Sequence, residues 1–206
     1  LIDFSIPRVM GVINATPDSF FAGSRAVGEK QLLKKVEQMV NDGAFIIDLG
    51  GYSSRPGADH IQIDEELSRV LPAIQNIQKS FPDLILSIDT FRAEVAHQAV
   101  NAGAALINDI SGGTLDKHMF TTAAKLRVPY ILMHMRGTPE TMSKQTDYGN
   151  LIHDVVKELS RKVHELTRIG IADIIIDPGF GFAKTIEQNF EILKNLEYFK
   201  ELGHPL

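Results

Sequence analysis

The 206 residues of this chain carry 21 Lys and Arg against 26 Asp and Glu, a formal net charge of −5, with 44% hydrophobic and 23% charged residues and no cysteine. That composition suits a soluble globular domain with a sizeable core, and it argues against general affinity for nucleic acid or an anionic membrane. Disulfides and thiolate metal sites are excluded, no apolar stretch approaches the ~20 residues that span a bilayer, and no secretion leader is visible, which together fit the cytoplasm.

The first apolar run, residues 9–13, ends in Asn14. Over residues 29–41, Leu32, Leu33, Val36, Met39 and Val40 share one helical face. Residues 45–47 then run into Asp48, and Leu67, Val70, Leu71, Ile74 and Ile77 form the next helical stripe. Pro72 inside that stripe predicts a kink, or a helix that starts later than the pattern suggests. Residues 84–88 lead to Asp89, 106–107 to Asn108 and Asp109, and 130–133 to His134. A third stripe, Ile152, Val155, Val156, Leu159, Val163 and Leu166, precedes residues 174–176 and Asp177.

A weak internal repeat runs through these segments. Helices close on Gly43, Gly103 and Gly170, where a left-handed cap costs little, and an apolar strand ending in a polar residue follows each time. Strands apolar on both faces indicate a parallel sheet covered by helices. Repeated right-handed βα units fit either a (β/α)8 barrel or an open doubly wound sheet. The open sheet usually carries its ligand at one switch point, whereas here nearly every strand ends in a polar residue. The expected fold is therefore α/β, a (β/α)8 TIM barrel in a single domain over residues 1–206. About six βα units are present and the last two are expected to be missing, since a complete barrel typically needs ~250 residues.

Strand ends are where such folds put active sites. Asn14 reads either as a cap for the turn before Pro17 or as a hard-cation ligand completed by waters and substrate phosphates. The stretch Gly50-Gly51-Tyr52-Ser53-Ser54-Arg55-Pro56-Gly57-Ala58 combines close backbone approach, small hydroxyls and a guanidinium suited to phosphate or carboxylate; the alternative is a flexible surface loop. Asp89, Asn108 and Asp177 can together read a planar heterocycle, although each could equally serve backbone N–H groups. Asp48 and Asp109 take the structural reading. So does His134, which lacks a second histidine at metal spacing, while Met133 and Met135 read as core packing. Residues 177–185 resemble a phosphate loop only superficially, without the Walker A spacing.

Taken in order, Met10-Gly11-Val12-Ile13-Asn14-Ala15-Thr16-Pro17-Asp18-Ser19-Phe20, the stretch from Gly50 to Ala58, Ser87-Ile88-Asp89-Thr90, Asn108-Asp109-Ile110-Ser111, His134-Met135-Arg136-Gly137-Thr138-Pro139 and Asp177-Pro178-Gly179 closely resemble dihydropteroate synthases. The resemblance covers essentially the whole chain. It implies a pterin-binding barrel of folate biosynthesis, a transferase and sulfonamide target acting as a homodimer. The reaction implied joins 6-hydroxymethyl-7,8-dihydropterin diphosphate to p-aminobenzoate, giving 7,8-dihydropteroate and pyrophosphate by an SN1-like, Mg²⁺-assisted displacement.

Carried over residue by residue, the resemblance implies that Asn14 holds Mg²⁺ on the diphosphate. Asp89, Asn108 and Asp177 become the catalytic residues that read the pterin ring. Ser54 contacts the diphosphate region, Arg55 orders the loop over pyrophosphate and aminobenzoate, Met133 packs near the pterin and Phe182 lines the aminobenzoate pocket. Tyr52 stands where many members have Glu, and Ser54 where many have Thr. A later Ser-Arg-Lys-Ser-like strand and an Arg-x-His element would lie beyond Leu206, so these 206 residues alone are expected to be inactive or barely active. Two other readings keep the barrel. One is a non-catalytic pterin-binding module; the other is a pterin-dependent methyltransferase domain, which gives no reason for the Asn14-to-Phe20 block or for Ser54-Arg55-Pro56-Gly57.

Overall fold

Strand and helix alternate along the chain in the computed structural model, which describes residues 2–15, 25–53 and 60–206. The order is β1 (Val9–Asn14), α1 (Arg25–Asn41), β2 (Ala44–Gly50), α2 (Ile63–Ser80), β3 (Ile85–Asp89), α3 (Ala93–Ala102), β4 (Leu106–Asp109), α4 (Met119–Leu126), β5 (Tyr130–Met133), α5 (Leu151–Arg168), β6 (Ile174–Asp177) and α6 (Ile186–Lys194), with 3-10 turns at Met142–Lys144 and Leu196–Leu202. Contacts gather the described residues into two compact units. The first holds residues up to Ser53, from His60 to Thr90 and from Glu94 to Ile107; the second holds Phe91–Ala93 and Asn108–Leu206. Strand order within each unit follows the chain.

In the first unit β1, β2 and β3 pair in parallel, and their register sets Asn14 beside Gly50 and Gly50 beside Asp89. Side chains alternate along a strand, so these three positions share one face, with Val12, Asp48 and Ser87 in the row beneath. The opposite face carries Ile13, Leu49 and Ile88 in one row and Ile47 and Leu86 in the next, all fully buried. Helices α1 and α2 pack on β2 and on each other, contributing Leu32, Val36, Val70, Ile74 and Ile77 to the same core. Glu66 of α2 is also fully buried, and it accepts a 2.7 Å hydrogen bond from Thr90 Oγ1 at the end of β3.

Pro72 does not delay its helix. Helix α2 runs from Ile63 to Ser80 with Pro72 inside. Pro72 and Ser68 both face solvent, so the Ser68 carbonyl that Pro72 cannot serve is left to water rather than buried. Gly43, Gly103 and Gly170 close their helices at φ of +102°, +126° and +96°, the left-handed geometry expected of a cap that only glycine enters cheaply.

The second unit is organised around strands β5 and β6, which pair in parallel with Met133 opposite Asp177. Asp109, at the end of β4, accepts from Ser111 N at 2.8 Å, Ser111 Oγ at 2.7 Å, Gly113 N at 2.7 Å and Tyr130 OH at 2.6 Å. Its structural assignment holds: the carboxylate folds the turn after β4 around itself. Helix α5 begins at Asn150, whose side chain accepts from His153 N at 3.1 Å. Leu151, Val155, Leu159 and Leu166 form its buried face, and the apolar pattern is interrupted there by Lys162. The Lys162 ammonium donates to the Ser111 carbonyl at 3.2 Å, which lets the charge be buried. Helix α6 opens with a reciprocal capping box between Thr185 and Gln188. No helix among the described residues is long and apolar enough to cross a membrane.

Replacing Tyr130 by Phe removes one of four donors from a buried carboxylate. The expected cost is about 1–3 kcal/mol of unfolding free energy, read from the urea midpoint. An unchanged midpoint would mean that the donors from Ser111 and Gly113 hold Asp109 alone.

Candidate active site

The strand ends of the first unit form an oxygen cradle. A Cβ added at Gly50 would lie 3.2 Å from Asp89 Oδ2 and 3.6 Å from Asn14 Oδ1. The missing side chain at Gly50 therefore leaves a gap flanked by one amide oxygen and one carboxylate oxygen. Asn14 is exposed and Asp89 half-buried, so both are within reach of a ligand from solvent. In the row beneath, Ser87 Oγ is buried with no hydrogen-bond partner among the described residues. No group of three or more His, Asp or Glu side chains among the described residues could hold a metal by itself. A cation at this cradle would thus take few protein oxygens and complete its shell with water or a ligand's phosphates, as Mg²⁺ commonly does.

Ser54 and Arg55, and residues 16–20 of the first block, lie outside the described residues. Tyr52 and His60 stand on either side of residues 54–59. The Tyr52 hydroxyl lies 3.4 Å from His60 Nδ1, and the rings meet edge to face with centroids 6.0 Å apart.

In the second unit Asn108 is the penultimate residue of β4 and Asp177 closes β6, both half-buried. Asp177 Oδ1 accepts from Gly179 N at 2.7 Å. Burial pushes the Asp177 carboxyl above the usual carboxylate range, while that N–H and the Lys184 ammonium pull it back. Met133 sits in an apolar cluster with Ile110, Met135, Met142 and Ala183, against which Phe182 packs. The core-packing reading of Met133 and Met135 is thereby met, and the cluster brings Met133 and Phe182 together.

His134 is a satisfied structural histidine, as expected, but its partners were not legible beforehand. Its Nδ1 lies 3.0 Å from Lys184 Nζ and its Nε2 lies 3.0 Å from Glu158 Oε2. An ammonium can only donate, so Nδ1 accepts and Nε2 carries the proton given to Glu158. Burial lowers the His134 pKa, the same direction as the neutral ring that an ammonium at Nδ1 requires. Hydrogen bonds from His134 and Arg136 hold the Glu158 carboxyl down to about 2. Arg136 reaches Glu158 Oε1 through Nε at 3.0 Å and Nη2 at 2.5 Å, while its guanidinium lies 4.0 Å from the centre of the Tyr148 ring.

Lys184 is the group that reading strand ends one at a time could not find. Its signal was a lysine closing the Gly-rich run Gly179-Phe180-Gly181-Phe182-Ala183-Lys184, which the Walker A comparison dismissed.

The two units thus offer different chemistry. One presents acceptor oxygens around an open backbone position; the other presents an amide and a half-buried carboxylate next to an apolar cluster. Both suit a planar heterocycle rich in N–H donors.

Residues 10–206 match the family described as pterin binding enzyme. The chain is 46% identical over 200 residues to the dihydropteroate synthase of Synechocystis, covering 96% of this chain and 69% of that protein. It is 49% identical to the folic acid synthesis protein fol1 of Pneumocystis carinii, covering 97% of this chain but 28% of that one. The solved structure of Yersinia pestis dihydropteroate synthase with a sulfonamide drug complex superposes at a TM-score of 0.91 with 38% identity, over 100% of this chain and 74% of that one. The Xanthomonas albilineans enzyme in complex with 7,8-dihydropteroate gives 0.85 at 33% identity, over 99% of this chain and 72% of that one. The expected TIM-barrel fold holds, with six of its βα units within these residues.

Gly179 tests the packing of this site. It adopts φ +74°, and an added Cβ would lie 2.0 Å from the His134 carbonyl oxygen. Gly179→Ala is expected to lower stability by at least ~1–2 kcal/mol from the left-handed conformation alone, with the backbone clash on top, as read by thermal unfolding. A variant as stable as the parent would show that the turn after β6 packs elsewhere.

Proposed function

The chain belongs to the pterin-binding enzyme family, in its dihydropteroate synthase branch, and from that premise we propose that it supplies the pterin-binding part of an enzyme making 7,8-dihydropteroate. The substrates are 6-hydroxymethyl-7,8-dihydropterin diphosphate and p-aminobenzoate, and pyrophosphate leaves. The observation that carries this reading is the placement of Asp89 and Asp177 as half-buried acceptors at the C-terminal ends of β3 and β6. Relatives solved with 4-aminobenzoic acid and with pteroic acid agree in ligand chemistry.

Each side chain then has a physical task. Asp89, Asn108 and Asp177 accept from the ring N–H and amino groups and orient the pterin. Acceptors on the ring also favour positive charge developing at the exocyclic methylene as the diphosphate departs, because they are already oriented for it. An arylamine is a weak nucleophile, so an SN1-like path that forms this cation first asks less of it. Met133 packs near the pterin and Phe182 offers the aryl ring an apolar surface, and together they exclude water that would compete for the cation. Ser54 and Arg55 are assigned to the diphosphate and to the loop over it by the family resemblance. The oxygens of Asn14 and Asp89 around Gly50 fit a hard cation, and Asn14 is the residue proposed to hold Mg²⁺. When bound there, Mg²⁺ neutralises charge on the leaving group. A homodimer and a cytoplasmic location complete the proposal; the first rests on the resemblance, the second on a chain without cysteine.

The test uses the intact polypeptide that contains this chain, supplied with pterin diphosphate, p-aminobenzoate and Mg²⁺. Pyrophosphate and dihydropteroate should appear together; tight pterin binding without pyrophosphate release would favour the non-catalytic module. Asp177→Ala should weaken pterin binding by ~1.5–3 kcal/mol, roughly 10- to 150-fold, in calorimetric titration. Unchanged affinity in the folded variant would remove Asp177 from the site. Asn14→Ala should raise the Mg²⁺ concentration needed for half-maximal rate, and an unaltered metal profile would return Asn14 to turn capping.

A further inference from the structure

Two lysines of the second unit are buried, and the reaction as drawn uses neither. Lys162 ends against a single carbonyl, but Lys184 meets several acceptors at once. Its Nζ lies 3.0 Å from His134 Nδ1, 3.1 Å from the Gly179 carbonyl and 2.9 Å from the Phe182 carbonyl, with the His134 carbonyl at 3.5 Å. An ammonium has three N–H groups, and three close acceptors take them.

We propose that Lys184 is a positioning residue, whose ammonium, seated on the ring of His134, clamps the turn after β6 and so holds Asp177 and Phe182 for the substrates. The inference rests on the reading of Asp177 and Phe182 as substrate contacts.

The clamp acts through one residue, Gly179, held at both its N–H and its carbonyl. Gly179 donates its N–H to Asp177 Oδ1, and its carbonyl accepts from both Lys184 and Phe182 N, the latter at 3.1 Å. Fixing that carbonyl restrains the backbone torsions of Gly179, which sits at φ +74°, and through them the N–H that orients the carboxylate. Ala183, between Phe182 and Lys184, adopts φ +52°, a left-handed conformation that alanine avoids. The carbonyls on either side of it are tied down, Phe182 O by Lys184 and Ala183 O by the Tyr148 hydroxyl at 2.9 Å. The seat is rigid as well. Glu158 holds the far nitrogen of His134, and Arg136 holds Glu158.

Neutral lysine could not do this. It has two N–H groups and a lone pair, so one of the three acceptors would lose its donor, and the lone pair would face it. Burial brings the Lys184 pKa from 10.5 down to about 8; Asp177 and Glu158 favour the charged form and Arg136 opposes it. The clamp should therefore loosen as pH rises through about 8. Global stability should move the other way. Unfolded lysine still binds its proton between about 8 and 10.5 while the folded state has released it, so this group's contribution to stability increases with pH across that window. The opposite signs separate positioning from a merely structural role.

Hydrogen exchange on the intact polypeptide, corrected for intrinsic rates, reads the clamp without any ligand. In Lys184→Met the peptide covering residues 177–184 should exchange at least tenfold faster at pH 7, with α5 protection unchanged. The parent protein should approach that behaviour above pH 8. Lys184→Gln keeps two donors without a charge, so it should lie between the two and show no inflection at pH 8. It also carries the test if Lys184→Met does not fold. In turnover assays Lys184→Met should raise KM for pterin diphosphate about 5- to 20-fold, and Lys184→Gln should recover part of the loss. Unchanged exchange in both variants overturns the clamp. A raised KM with unchanged exchange overturns it too, by making Lys184 a direct substrate contact. If the parent protein neither binds nor turns over pterin diphosphate while the exchange changes appear, the functional reading fails and the clamp stands.

Discussion

A parallel strand covered by helices has no room for a polar side chain along its covered face. Polar groups collect where the strand runs out and the backbone turns away. Ile13, Leu49 and Ile88 are fully buried in one row, and one residue further along each strand stand Asn14, Gly50 and Asp89. The same step takes Ile176 to Asp177 and Met133 to His134. The chemistry at each strand end depends on this change from covered apolar face to open polar turn.

Polar groups that remain buried need partners, and the second unit supplies them in closed sets. Asp109 takes four donors, including a tyrosine hydroxyl from the strand two elements on. Lys184, His134, Glu158 and Arg136 form a chain of alternating donors and acceptors from the turn after β6 to the guanidinium over Tyr148. Tautomer follows from this order, because a cation at one ring nitrogen and a carboxylate at the other leave His134 a single arrangement. Asp177 is less enclosed: it is half-buried, accepting from Gly179 N beside the Lys184 ammonium, and so keeps capacity for a ligand.

Periodicity and turn chemistry act over a few residues, and what they control was legible. Of the stripe Leu67, Val70, Leu71, Ile74 and Ile77, all but the half-buried Leu71 became the buried face of α2. Gly43, Gly103 and Gly170 took the left-handed caps their positions required. Asp48, Asp109 and His134, read as structural, are buried, whereas Asp89, Asn108 and Asp177 are half-buried. Of the two outcomes expected of Pro72, the later start did not occur, because its effect depends on which side of the helix it occupies. On the solvent side the orphaned carbonyl is hydrated and the helix continues.

The sequence by itself determined the alternation of strand and helix, the parallel covered sheet, the row of polar strand ends and the motifs that identify the family. Each of these rests on spacing along the chain, and spacing is a local property. Only the tertiary structure decided that Asn14 and Asp89 flank a bare Gly50. It alone decided that Lys162 can lie on the buried face of α5, and that Lys184 reaches His134, 50 residues earlier. Those outcomes depend on which acceptors the fold brings within about 3 Å of a buried charge, and hydrogen-bond geometry over that distance has no signature in residue order.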